Sequence, residues 1–119
     1  MVFATTPTPP YTAVIFTSLR TPGDHGYTTM SARMEKLAAA QPGYLGIESA
    51  RTGEQGITVS YWVDEAAAAA WKQVAEHLLA QERGARVWYT DYRVRVATVT
   101  RDYGPAREDG HSPRPGRSH

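Results

Sequence analysis

The chain has 119 residues, no cysteine and a formal net charge of +1 at pH 7. That length suits one domain around one core. The lack of cysteine excludes a disulfide framework, thiolate metal sites and a cysteine nucleophile, and the near-neutral balance gives no reason to expect nucleic acid or an acidic membrane as a partner.

The start, MVFATTPTPP, has neither a basic region nor an apolar stretch of leader type, and no apolar run approaches about eighteen residues. A cytoplasmic protein is expected. Residues 1–10 interleave Thr and Pro and should form an extended arm that cannot enter a sheet interior. From Tyr11 to Arg20 the sequence YTAVIFTSLR predicts a strand, with Tyr11, Ala13, Ile15 and Leu19 on one face and Val14 and Phe16 on the other. Thr21-Pro22-Gly23-Asp24 breaks it and offers an oxygen cap to a helix. In that helix Tyr27, Met30, Met34, Leu37 and Ala38 form one apolar stripe, and Gln41-Pro42-Gly43 stops it.

Two strands follow, from Tyr44 to Ala50 and from Ile57 to Val63, separated by a loop from Arg51 to Gly56 whose two glycines suit a hairpin. In the second, Ile57, Val59, Tyr61 and Val63 point one way and Thr58, Ser60 and Trp62 the other. Asp64 is a ready N-cap for an alanine-rich helix running to Arg83 before Gly84. A last strand is expected from Tyr92 to Thr100, with Tyr92, Val94 and Val96 alternating with Arg93 and Arg95. Residues 104–119 contain no large apolar side chain and read as a flexible polar tail.

The order strand, helix, strand, strand, helix, strand within residues 11–103 defines an α+β, ferredoxin-like βαββαβ domain. Its four-stranded antiparallel sheet carries both helices on one face. Because the strands are apolar on both faces, two helices cannot cover them, and a homodimer is implied.

The segments YTAVIFTSLR, QPGYLGIESAR, GITVSYWVDEAAAAAWK and AEHLLAQERGARVWYTDYRVRVATV resemble the antibiotic biosynthesis monooxygenase family of the dimeric α/β-barrel superfamily, over roughly four fifths of the chain. The resemblance implies two ferredoxin-like subunits packed sheet against sheet into a barrel. It also implies a cofactor-free or haem-dependent monooxygenase whose small aromatic or polycyclic substrate enters a pocket between sheet and helices.

In the cofactor-free version the protein deprotonates an electron-rich phenol or anthrone, holds the anion and lets it pass an electron to dioxygen, which needs a base, oxyanion donors and a dry pocket. His77 is the candidate base, at the edge of the stripe formed by Trp71, Val74 and Leu78. Tyr44, Trp62, Trp71, Trp88 and Tyr92 are candidate aromatic walls and hydroxyl donors, and Arg93 or Arg95 could hold an anion. Each also has a plainer reading. The histidine can be a hydrogen-bonded core residue, the tryptophans core or interface anchors, and the arginines solvated charges that deter edge pairing.

The haem-degrading members of the family require a first-strand asparagine and a histidine ten residues after a second-helix tryptophan. This chain has no asparagine, Gln81 occupies that position relative to Trp71, and His77 comes six residues after it. Haem is therefore disfavoured as cofactor. No P-loop, dinucleotide fingerprint or hydrolase elbow occurs, and the histidines do not cluster at metal-ligand spacing. Two other readings share this element order. One is an RNA-recognition sheet, whose basic residue and spaced aromatics are missing. The other is a non-catalytic dimeric module that binds a small ligand or serves a structural role.

Overall fold

The computed structural model describes residues 3–81 and 88–105. The elements follow the expected order: β1 (Tyr11–Arg20), α1 (Tyr27–Ala39), β2 (Tyr44–Thr52), β3 (Gln55–Trp62), α2 (Glu65–Gln81) and β4 (Tyr89–Val99). The strands make one sheet in the order β2-β3-β1-β4, with every neighbouring pair antiparallel. β1 lies in the interior, where its two-sided apolar pattern belongs.

Register assigns the faces. Val14 sits between Ser60 and Val96, and Phe16 between Thr58 and Val94, on the face that carries the helices. Ile15 sits between Val59 and Arg95, and Thr17 between Ile57 and Arg93, on the open face. Arg93 and Arg95 therefore point away from the helices.

Local chemistry sets the helix ends. Asp24 starts α1: its Oδ1 accepts the Thr28 backbone N–H at 3.1 Å and the Thr28 hydroxyl at 2.6 Å, while Oδ2 accepts the Gly26 N–H at 3.1 Å. Gly26 itself takes the left-handed φ of 84° between that carboxylate and the helix. At the start of α2, Asp64 Oδ1 accepts the Ala67 N–H at 2.9 Å. The turn after α1 passes so close to α2 that a Cβ on Gly43, whose φ is 84°, would meet the Ala67 Cβ at 2.6 Å. Above this contact lies the core of Ala38, Trp62, Ala68 and Trp71.

Five strand ends differ from the sequence reading, among them the end of β4, at Val99 rather than Thr100. The six-residue loop expected between β2 and β3 is a tight turn at Gly53 and Glu54, because Arg51 pairs with Gly56 and Thr52 with Gln55. Gly53, with φ of 60°, makes the short reversal accessible. β3 ends at Trp62, one residue short of Val63. β4 begins at Tyr89 rather than Tyr92, since Tyr89 and Asp91 already pair with Arg20 and Leu19 across an irregularity in the ladder. The expected end of the second helix near Arg83 and Gly84, and the tail from residue 106 onward, lie outside the described residues.

The arm at residues 3–10 has no regular secondary structure and lies across one end of the open face. The Ala4 N–H donates to Glu48 Oε2 at 2.8 Å, and the Tyr61 hydroxyl donates to Oε1 of the same carboxylate at 2.8 Å. The hydroxyls of Thr6 and Tyr11 both donate to Asp102 Oδ2. Among the described residues, no helix is long and apolar enough to cross a membrane.

Candidate functional site

A cavity of about 610 Å³ lies between the helices and the sheet. Its floor is formed by the helix-facing side chains of the sheet, including Val14, Phe16, Tyr92, Val94 and Val96, and its roof by Met30 and Met34 of α1 and Trp71 and Leu79 of α2. The space has a sequence cause. Where α2 meets the cavity it presents Ala68, Ala69 and Ala75, whose methyl groups leave a gap that larger side chains would fill. The helices also leave β4 largely bare: Tyr92 is 47%, Val94 40% and Val96 52% exposed.

The two ends of the cavity differ in character. One end is closed by the core, where Trp62 stacks on Trp71 with centroids 5.9 Å apart at 20°, and Tyr44 meets Trp62 edge-on at 5.6 Å. Trp62 is fully buried and its Nε1 donates to Ser60 Oγ at 2.9 Å.

At the other end four rings converge. Phe16 meets Tyr89 at 5.2 Å and Tyr92 at 5.5 Å, and Tyr89 meets Tyr27 at 6.0 Å and Tyr92 at 5.9 Å. All four line the cavity. These are edge-to-face and tilted contacts, the geometry that aromatic quadrupoles favour.

Two guanidinium groups flank Tyr27 at that end, and of the two Arg51 lines the cavity. Arg20 Cζ lies 3.5 Å from the centroid of the Tyr27 ring, held by bonds from its Nε to Trp88 O and from NH2 to Gly23 O. Arg51 donates from NH2 to the Tyr27 hydroxyl and to Ser18 Oγ, each at 3.4 Å, and from NH1 to Glu54 O at 3.1 Å. Burial pushes the Tyr89 phenol well above the ordinary tyrosine value, and its hydrogen-bonded neighbour Tyr27 pushes it further. Tyr89 is therefore a neutral hydroxyl at physiological pH, able to donate and unable to act as a resting anion.

The residues singled out from sequence fall into three groups. Trp71 and Tyr92 line the cavity. Tyr44 and Trp62 stand behind Trp71 in the core stack and do not line it. The remaining three lie elsewhere. Trp88 is buried, with its Nε1 donating to His25 O at 3.0 Å, and fastens the loop before α1. Arg93 is exposed on the open face opposite Thr17. His77 is exposed on α2 and is not among the lining residues, so the imidazole expected at the cavity's edge faces solvent instead.

The residues that sequence reasoning passed over are Phe16, Tyr27, Arg51 and Tyr89. Strand alternation and the helical stripe place Phe16 and Tyr27 between sheet and helices but mark them only as packing. Arg51 falls in the expected loop, and Tyr89 ahead of the expected start of the last strand.

Comparison with known proteins gives a consistent result. The profile of the family described as antibiotic biosynthesis monooxygenase matches residues 18–83. The uncharacterized protein YqjZ of Bacillus subtilis (strain 168) is 52% identical over 97 residues, covering 81% of this chain and 85% of that protein. Among solved structures, PA3566 from Pseudomonas aeruginosa is similar with a TM-score of 0.61 at 18% identity, over 82% of this chain and 99% of that one. SnoaB, a cofactor-independent oxygenase from Streptomyces nogalater, is similar with a TM-score of 0.60 at 13% identity, over 81% of this chain and 97% of that one.

Proposed function

This chain belongs to the antibiotic biosynthesis monooxygenase family, and from that premise we propose that it oxygenates a small, electron-rich aromatic substrate in the cavity under α2. The observation that carries the reading is the cavity itself: mainly apolar between Val14, Val94 and Val96 of the sheet and Met30, Met34 and Trp71 of the helices, and bounded at one end by Phe16, Tyr27, Tyr89 and Tyr92. Planar rings slide against those edges, and the Tyr27 and Tyr89 hydroxyls meet a substrate oxygen. Their donors favour the phenolate over the phenol and so promote loss of the substrate proton to water at the rim. The phenolate is the electron-rich form, able to pass an electron to dioxygen directly.

For an anthrone-type substrate the balance is a ring methylene plus dioxygen giving a ring carbonyl plus water. Two hydrogens leave the carbon, one oxygen atom enters it, and the other oxygen is reduced to water. SnoaB, described as a cofactor-independent oxygenase on the same fold, supports a route without a resident cofactor. The described lining contains no histidine, so these residues do not fit a haem held by an axial imidazole.

The reading includes a homodimer joined through the open sheet face. Leu19 and Ile57 on that face are each 43% exposed, beside Ile15 and Val59, and an apolar surface of this kind needs a cover. It also includes a cytoplasmic location without membrane or nucleic-acid partners, supported by the near-neutral charge.

The test is oxygen uptake with a dihydroxyanthrone. The purified protein should raise uptake and quinone formation above the buffer rate, and Tyr27→Phe should lower the rate by roughly tenfold, the loss of one hydrogen bond made to developing negative charge. Saturable binding with no turnover would place the chain among non-catalytic ligand carriers.

A further inference from the structure

Arg51 is a charged group at the edge of an apolar cavity with no carboxylate partner among the described residues. Its donors go to Glu54 O, Ser18 Oγ and the Tyr27 hydroxyl, all neutral, and the last two at 3.4 Å are weak. The position is prepared by its cross-strand neighbour. Arg51 pairs with Gly56 on β3, and a Cβ at Gly56 would stand 2.3 Å from Arg51 NH2 and 2.5 Å from Cζ. Gly56 has no left-handed backbone to explain a glycine; its absent side chain is the space in which the guanidinium lies.

Four other charged side chains line the cavity: Glu35, Glu65, and the largely exposed α2 ion pair of Lys72 and Glu76, whose Nζ and Oε2 stand 3.9 Å apart. Glu35 and Glu65 lie toward the Tyr44 and Trp62 end. Glu35 is close enough to Tyr44 to help raise that phenol above its ordinary value, though burial of Tyr44 contributes more. Along α1, Glu35 is eight residues from Tyr27, about 12 Å at the helical rise. Glu35 and Glu65 thus repel an anionic group from their end, Lys72 and Glu76 offset each other, and Arg51 is the lining cation without a carboxylate partner among the described residues.

Resting on the aromatic-substrate reading above, we infer that Arg51 is the anion subsite of the cavity, and that the ligands are planar aromatic acids whose oxyanion sits on this guanidinium while the rings lie against Phe16, Tyr89 and Tyr92. The planar fork of arginine suits a carboxylate, and the same charge would hold an ionised phenol. Arg51 is a specificity-determining residue and Gly56 a positioning residue that acts through it.

The test measures binding rather than turnover, using 2-naphthoate, its neutral methyl ester and 2-naphthol in calorimetric titrations of the full chain. Naphthoate should bind at least about tenfold tighter than the ester, the effect of one charge-assisted hydrogen bond. Arg51→Gln should erase that preference while leaving ester affinity within about twofold, and Arg51→Lys should restore part of it. Gly56→Ala, which displaces the guanidinium without altering any charge, should reduce the preference with the circular dichroism unchanged. 2-Naphthol should behave like the ester at neutral pH and gain Arg51-dependent affinity once the pH ionises it.

Equal affinity for acid and ester, a preference that survives Arg51→Gln, or naphthol binding as tightly as naphthoate at neutral pH would each overturn the subsite while leaving the aromatic cavity standing. No binding of any probe would overturn both.

Discussion

Trp62→Phe separates a core anchor from a substrate wall. The indole is fully buried, and its Nε1 donates at 2.9 Å to Ser60, itself only 5% exposed. Phenylalanine keeps the ring against Trp71 and Tyr44 but removes the donor and part of the volume. An orphaned buried hydroxyl costs about 1–3 kcal/mol. The partial void adds roughly 1–2 kcal/mol, a fraction of the cost of full truncation to alanine. A loss of about 2–5 kcal/mol is therefore expected, read as a lower urea midpoint at unchanged slope and at fixed protomer concentration. Ser60→Ala alone should cost about 1–3 kcal/mol, because it strands the indole N–H. The double variant should cost about 1 kcal/mol less than the sum, since both partners are then gone. Because Trp62 does not line the cavity, naphthoate affinity of Trp62→Phe should stay within about twofold. A stability change below about 0.5 kcal/mol together with a tenfold loss of affinity would refute the reasoning and make Trp62 a wall of the site.

His77→Ala should change stability by less than about 0.5 kcal/mol, as expected for an exposed side chain, and should leave oxygen uptake within twofold; loss of turnover with intact binding would restore the imidazole as the base. Burial, with help from Glu48, pushes the Tyr61 phenol up to about 12. The native state therefore disfavours its ionisation: the contribution to stability is complete below the ordinary tyrosine value of about 10 and is lost as pH rises from there toward 12. Tyr61→Phe should flatten that alkaline loss in pH-dependent denaturation. Asp102 moves the opposite way. Hydrogen bonds from Tyr11 and Thr6 hold its carboxyl below the usual range, so its hold on the arm persists above about pH 4 and fails as pH falls through the lowered value. Protection of the amides in residues 3–10, taken relative to the intrinsic exchange rate at each pH, should fall in acid, and Asp102→Asn should produce the same loss of protection at neutral pH. Ile57→Glu on the open face should give monomers by sedimentation, with helical content retained; a dimer that survives it would move the proposed interface elsewhere.

The fold was legible because its strands obey a two-residue period on both faces. Ile15 and Phe16 had to face opposite layers whichever neighbours they acquired, and Asp24, Asp64 and the Gln41-Pro42-Gly43 stop carried their own capping and breaking chemistry. Boundaries were less legible where pairing depends on a distant strand. Arg51 looks like loop in its own neighbourhood and becomes strand only because Gly56 lies opposite it. Tyr89 enters the sheet through its pairing with Arg20, far away in sequence. The same distinction governs the site. Trp71 and Tyr92 could be found from one helical stripe and one alternating strand. The Tyr27, Tyr89 and Arg51 cluster draws on α1, β4 and β2 and has no spacing that a local pattern could reveal. His77 shows the converse difficulty. Its apolar neighbours Val74 and Leu78 turn inward while the imidazole, on the flank of the stripe, turns to solvent.

The most direct measurement follows the oxygen atom. With heavy-isotope dioxygen and a dihydroxyanthrone, the wild-type protein should deliver one labelled oxygen into each quinone formed, at a rate above buffer alone. Ala75→Phe, which places a ring in the space left by a lining alanine, should bring the rate back toward that of buffer while circular dichroism remains native. Unchanged labelled turnover in the folded Ala75→Phe protein, or a wild-type rate equal to buffer, would contradict oxygenation in this cavity.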